Sequence, residues 1–69
     1  MPRKLRELRA DLRRAGWQQV RQTGSHQTWQ HPDVPGVSIR LSGNDGDEAK
    51  PYQEKDVARA IDVARKENQ

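Results

Sequence analysis

Residues 16–41 read GWQQVRQTGSHQTWQHPDVPGVSIRL. Turn-forming residues cut this stretch into three short segments, 17–22, 26–31 and 37–41, separated by Thr23-Gly24-Ser25 and by Pro32 through Gly36. Short segments punctuated in this way are expected to form three antiparallel strands. The third alternates cleanly, with Val37, Ile39 and Leu41 on one face and Ser38 and Arg40 on the other, so one face of the sheet is expected to be buried. On the second strand Trp29 is the one large apolar residue and must turn toward that buried face. His26, three positions away, then points to the opposite side.

Working outward, residues 3–15 place Leu5, Leu8, Leu12 and Ala15 at steps of three and four, the pattern of an amphipathic helix. Gly16 follows as its stop signal. Arg6, Arg9, Arg13 and Arg14 fill much of the remaining surface, which reads as a solvated face with phosphate contact as its functional alternative. Residues 43–50 are polar and acidic and read as a loop. Pro51 then leads into a second helix over about 54–66, with Val57, Ala60, Ile61 and Ala64 as its apolar stripe. The resulting fold class is α+β, in the order helix-strand-strand-strand-helix, with both helices on the single apolar face of a three-stranded antiparallel sheet.

At 69 residues the chain is long enough for one unit, read as 1–69, and too short for two independent cores. Apolar residues make up 30% of it, so the core is expected to be small and a partner that covers apolar surface would stabilise it. The absence of cysteine excludes disulfides, thiolate metal sites and cysteine nucleophiles. No apolar run is long enough for a signal sequence or a membrane span, and the expected location is the cytoplasm, with no membrane partner. Residues 1–40 carry eight Lys/Arg against three Asp/Glu, whereas residues 41–69 carry five against seven. A basic front half favours a polyanionic partner such as nucleic acid.

The face that holds His26 also receives Thr28 and Gln30 and, from the neighbouring strands, Arg40 and Arg21. Imidazole among guanidiniums on an open sheet suits phosphodiester chemistry. Histidine exchanges protons near neutral pH, and arginine stabilises charge building on phosphate oxygens. His31 has the parity of Trp29 and reads as a capping or packing group. A zinc site from His26 and His31 is disfavoured, because five positions apart on a strand they fall on opposite faces. The run from Asn44 to Glu48 has the composition of a calcium loop. Aligning Gly46 with that loop's glycine nonetheless puts Leu41 and Tyr52 at ligand positions, so no metal is expected there. Phosphate-binding glycine loops and G-x-S-x-G elbows are also absent. Trp17, directly after the helix stop, is expected to pack under the first helix.

Gly16-Trp17, Val20-Arg21-Gln22, Gly24-Ser25-His26, Trp29 and His31-Pro32 together resemble the HicA toxins, small bacterial mRNA interferases of toxin-antitoxin pairs. The likeness runs from about residue 3 to residue 63, and its most specific element is G-S-H between a glycine-aromatic turn and an aromatic followed by H-P. The resemblance implies a fold like that of double-stranded RNA-binding domains. It implies His26 as the active-site histidine, and cleavage of RNA, expected to be mRNA, without metal or cofactor. It also implies a HicB-type antitoxin that covers the site. Many members carry a histidine before the Gly-Asn that follows the third strand; here Ser42 stands before Gly43-Asn44, and the loop beyond is longer and more acidic.

The leading expectation is therefore a ribonuclease toxin with His26 as general base or acid, Arg21 and Arg40 holding the phosphate, and Gly24 and Ser25 at the RNA approach. A non-catalytic RNA-binding module and an inactive remnant that only binds its antitoxin are the alternatives from other classes. The oligomeric state is left open by the sequence.

Overall fold

In the computed structural model, residues 3–67 are described; Met1, Pro2, Asn68 and Gln69 of the 69 residues read as one unit lie outside the described residues. The leucine spacing produces α1 (Leu5–Arg14), whose Leu5, Leu8 and Leu12 are fully buried. Its first amides are capped from a distance in sequence. Leu5 N–H donates to the Asp47 carbonyl at 2.9 Å and Arg6 N–H to the Asp45 carbonyl at 3.2 Å. The acidic loop thus lies across the positive end of the helix dipole, where negative charge is favoured. One turn on, the Arg3 and Arg14 guanidiniums hold the Asp11 carboxyl below the usual carboxylate range, the hydrogen bond from Arg3 being the largest cause. A depressed carboxyl stabilises the fold above its unfolded pKa and loses that contribution as pH falls through the folded one.

The end of α1 is a glycine-terminated Schellman motif: Gly16 N–H donates to the Arg13 carbonyl at 3.0 Å and Trp17 N–H to the Leu12 carbonyl at 2.9 Å. Gly16 has φ of +94°, and a Cβ placed on it would lie 2.7 Å from His31 Nε2. That imidazole is fixed at both nitrogens. Nε2–H donates to the Ala15 carbonyl at 2.9 Å, and Nδ1 accepts the Asp33 amide at 3.0 Å. The ring meets Trp17 edge-on, with centroids 5.4 Å apart. His31 is thus the capping and packing group expected from its parity, and Trp17 packs as expected. Gly16→Ala should cost about 1–3 kcal/mol in backbone strain alone. At about 4–8 °C per kcal/mol for a domain of this size, the melting temperature should fall by about 10 °C. An unchanged transition in thermal circular dichroism would show that the positive φ of Gly16 carries no such strain.

Three antiparallel strands follow in the order β1 (Gln18–Thr23), β2 (His26–Gln30) and β3 (Ser38–Ser42). Gly24, with φ of +60°, and Ser25 close the first hairpin as a two-residue turn opening on glycine. The β1–β2 register slips between Gln19 and Arg21, which leaves Val20 in a bulge, 52% exposed. Pro51 is the first residue of α2 (Pro51–Glu67), three residues earlier than the apolar stripe suggested, because proline at that position forfeits no helical hydrogen bond. Trp29, Leu41, Val57, Ala60 and Ala64 close the core with the α1 leucines and Trp17, so both helices cover the same face of the sheet. One detail departs from the sequence reading. Val37 lies outside β3 and is 41% exposed, while Ile39 is only half-buried, because the helices cover the Leu41 end of the strand.

Candidate nucleic-acid interface

The face of the sheet opposite the helices is organised as two rows across the strands. Thr23 pairs with His26 and His26 with Ser42; beside them Arg21 pairs with Thr28 and Thr28 with Arg40. Alternation along β2 is what places His26 there: with Trp29 fully buried, every second residue back from Thr28 must face outward. The bulge at Val20 is equally decisive for β1. It shifts the pairing by one residue and so brings Arg21 opposite Thr28.

These side chains line a shallow groove of about 310 Å³ formed by Arg21, Thr23, His26, Gln27, Thr28 and Arg40. With strands about 4.8 Å apart, the two arginine backbones stand about 10 Å from each other across Thr28. That span admits a phosphodiester between the guanidiniums. The ion pairs among the described residues use Arg3, Arg9, Arg14, Arg59, Arg65 and Lys66, and leave out Arg21 and Arg40. His26 Nδ1 is 2.6 Å from Ser42 Oγ, with both groups at the surface. The hydroxyl orients the ring and leaves Nε2 without a protein partner among the described residues, directed away from that bond. Ser42 was legible only as a departure from the family pattern. Its hydrogen bond to His26 follows from the β2–β3 register, which puts the two directly opposite each other.

The two residues expected at the RNA approach do not line this groove. Gly24 and Ser25 line a separate depression at the hairpin end, of about 270 Å³, together with Arg9, Gln22, Gln27, Gly43, Asn44 and Asp45. It adjoins the His26–Ser42 row, since the Gly43 amide donates to the Ser25 carbonyl at 3.2 Å, but it is not the same groove.

On the arginine face of α1, Arg6, Arg13 and Arg14 are exposed, as a solvated face requires, and Arg9 is the departure. Arg9 is buried, donating through Nη1 to Asp45 and through Nη2 to the Gly43 carbonyl at 2.6 Å, and so ties the acidic loop to the helix. Arg13 lies over the Trp29 ring, 5.2 Å from its centroid, and Arg14 pairs with Asp11. All of this happens on the helical side of the sheet, away from His26. The acidic loop is likewise folded onto α1 rather than across the open face.

No group of three or more His, Asp or Glu side chains is gathered closely enough to hold a metal ion among the described residues, and none of their helices is long and apolar enough to cross a membrane. No curated protein and no solved structure matches the chain. Residues 5–63 match the family described as the HicA toxin of bacterial toxin-antitoxin systems. The helix-strand-strand-strand-helix order, the hairpin that presents G-S-H and the exposed histidine all fall within that match. The chain belongs to the HicA toxin family, whose members act as the toxins of toxin-antitoxin pairs and have an antitoxin as partner.

Proposed function

We propose that the chain is an mRNA interferase, a ribonuclease that cleaves RNA phosphodiester bonds with His26 as its proton-transfer group. The observation that carries this reading is the exposed His26–Ser42 pair, 2.6 Å apart, beside the row that holds Arg21 and Arg40. In the tautomer in which Nδ1–H donates to Ser42 Oγ, Nε2 holds a free lone pair. It takes the proton from a ribose 2′-hydroxyl, and the 2′-oxygen attacks the adjacent phosphorus. The 5′-oxygen then leaves and takes up a proton, giving a 2′,3′-cyclic phosphate and a 5′-hydroxyl. Protonation of Nε2 keeps Nδ1 a donor, so the bond to Ser42 survives the whole proton cycle.

Arg21 and Arg40 stabilise the charge that develops on the phosphorus oxygens. Guanidiniums beside the imidazole disfavour a divalent cation at this position, and the chemistry as written uses neither metal nor cofactor. Ser25 and Gly24, on the adjoining depression, then guide the neighbouring nucleotide instead of the reacting phosphate. A HicB-type antitoxin that covers His26 would silence the enzyme in the cytoplasm of the cell that makes it.

RNA affinity should fall steeply as salt rises, because each arginine bound to phosphate releases counterions. Arg40→Ala should lower the slope of log affinity against log salt by about 0.7, the value for one contact to a single strand. Affinity titrations of a non-cleavable RNA at several ionic strengths measure this. An unaltered slope would remove Arg40 from the phosphate path, and binding without cleavage by the unmodified chain would make it an RNA-binding module.

A further inference from the structure

β3 is an outer strand, and among the described residues no strand pairs with its far side. The direction of its backbone groups follows from one bond: the Gly43 amide donates to the Ser25 carbonyl, so Ser25 and Gly43 form a hydrogen-bonded pair. Alternation then makes Gln27/Leu41 and Trp29/Ile39 the bonded pairs between β2 and β3. The amides and carbonyls of Ser38, Arg40 and Ser42 therefore point outward. Among the described residues, the Ser42 carbonyl has a side-chain partner, Gln53 Nε2 at 3.1 Å.

This edge borders a groove of about 470 Å³ lined by Ser38, Ile39, Arg40, Ser42, Tyr52 and Asp56. One wall is the strand and the other is the first turns of α2. Tyr52, 57% exposed, and the half-buried Ile39 supply apolar surface on the helical side, and Arg40 supplies positive charge on the open side. Natural edge strands are usually blunted against pairing, and β1 is: its bulge at Val20 breaks the spacing of its outward groups. β3 has a regular register, no proline and a groove beside it.

We propose that the antitoxin docks by adding an extended segment to the free edge of β3, as a fourth strand of the sheet. The inference rests on the reading that an antitoxin covers His26, and it specifies how the cover is attached. A row of alternating donors and acceptors complements another peptide backbone, whereas the outward carbonyls repel a polyanion. Side chains of an added strand alternate between the two faces. Those on the open face stand beside Arg40 and the Ser42–His26 pair and are best acidic; those on the helical side meet Ile39 and Tyr52 and are best apolar, since Asp56 repels acid there. The partner segment is thus an acidic-apolar alternation, and strand addition carries the masking residues to the site.

The test uses the complex of this chain with its antitoxin. Amide exchange at Ser38, Arg40 and Ser42 should slow at least tenfold on binding, while Gln22 on the opposite edge keeps its rate. Ser38→Pro removes one outward amide at the first strand position, where proline is tolerated. Tyr52→Glu charges the groove wall while suiting the start of α2. Each variant should weaken the complex at least tenfold, with the circular dichroism spectrum and RNA cleavage of the free chain unchanged.

Diethyl pyrocarbonate modification of His26 separates the two ideas. Protection of His26 without slowed exchange on β3 overturns strand addition and leaves masking intact. Slowed exchange with His26 still reactive upholds strand addition and overturns masking. Slowed β3 exchange in the free chain that grows with its concentration would assign the edge to a second copy, and failure of the two proteins to bind would overturn both readings.

Discussion

His26→Ala should lower RNA cleavage by at least about 10²-fold, toward the limit of detection, because positioned proton transfer contributes about 10²–10⁴-fold. The fold should be untouched. The side chain is exposed, and so is its hydrogen bond to the half-buried Ser42. Far-UV circular dichroism and the melting curve should therefore overlay those of the unaltered chain, and affinity for RNA should persist, since Arg21 and Arg40 remain. Ser42→Ala should have a smaller effect. Loss of one hydrogen bond that orients the ring is worth about 0.5–1.5 kcal/mol, or roughly 2- to 13-fold in rate. Chelator should leave the unaltered chain active. Normal cleavage by the alanine variant would end the role proposed for His26.

The largest stability effect is expected at Trp29. Its side chain is fully buried, packed in the core that includes the α1 leucines and Trp17, with Arg13 lying over its ring. Truncation to alanine should cost about 3–5 kcal/mol. A chain of this length holds only about 3–10 kcal/mol in all, at about 0.05–0.15 kcal/mol per residue. Trp29→Ala should thus be largely unfolded at 37 °C and lose RNA binding with its fold.

Trp29→Phe separates packing from polarity. The indole N–H is buried without an acceptor among the described residues, so phenylalanine forfeits volume but no hydrogen bond. It should remain folded, with a lowered melting temperature. A folded Trp29→Ala variant with a near-native transition would mean that the helices close over the gap, and would contradict the central place given to this residue.

Fold class was legible because local rules and burial agree along most of this chain. The three- and four-residue leucine spacing, the Gly16 stop and the turn residues around Gly24 each act within a few positions, and each appears in the structure where the local pattern puts it. The side of the sheet taken by His26 was equally legible. A strand has a period of two, and a single buried tryptophan fixes the phase for all its neighbours. His31 followed by the same reasoning, since sharing parity with Trp29 commits it to the core.

What escaped the sequence depends on pairings between distant segments. Arg9 sits at a helical position that reads as solvent-facing until the loop at residues 43–47 returns to cover it and supplies the Asp45 carboxylate and the Gly43 carbonyl. Ser42 becomes the partner of His26 only through the β2–β3 register, and the bulge at Val20 decides which β1 residue faces Thr28. The separation of Gly24 and Ser25 from the arginine groove likewise comes from the direction in which the hairpin turns. Sequence alone determines which residues share a strand face or a helix stripe, because those periods are set by the backbone of each element. Only the tertiary structure decides which charges are consumed in packing and which stay open for a partner. That choice depends on contacts made across the fold, and the sequence separation of Arg9 and Asp45 carries no local signal of them.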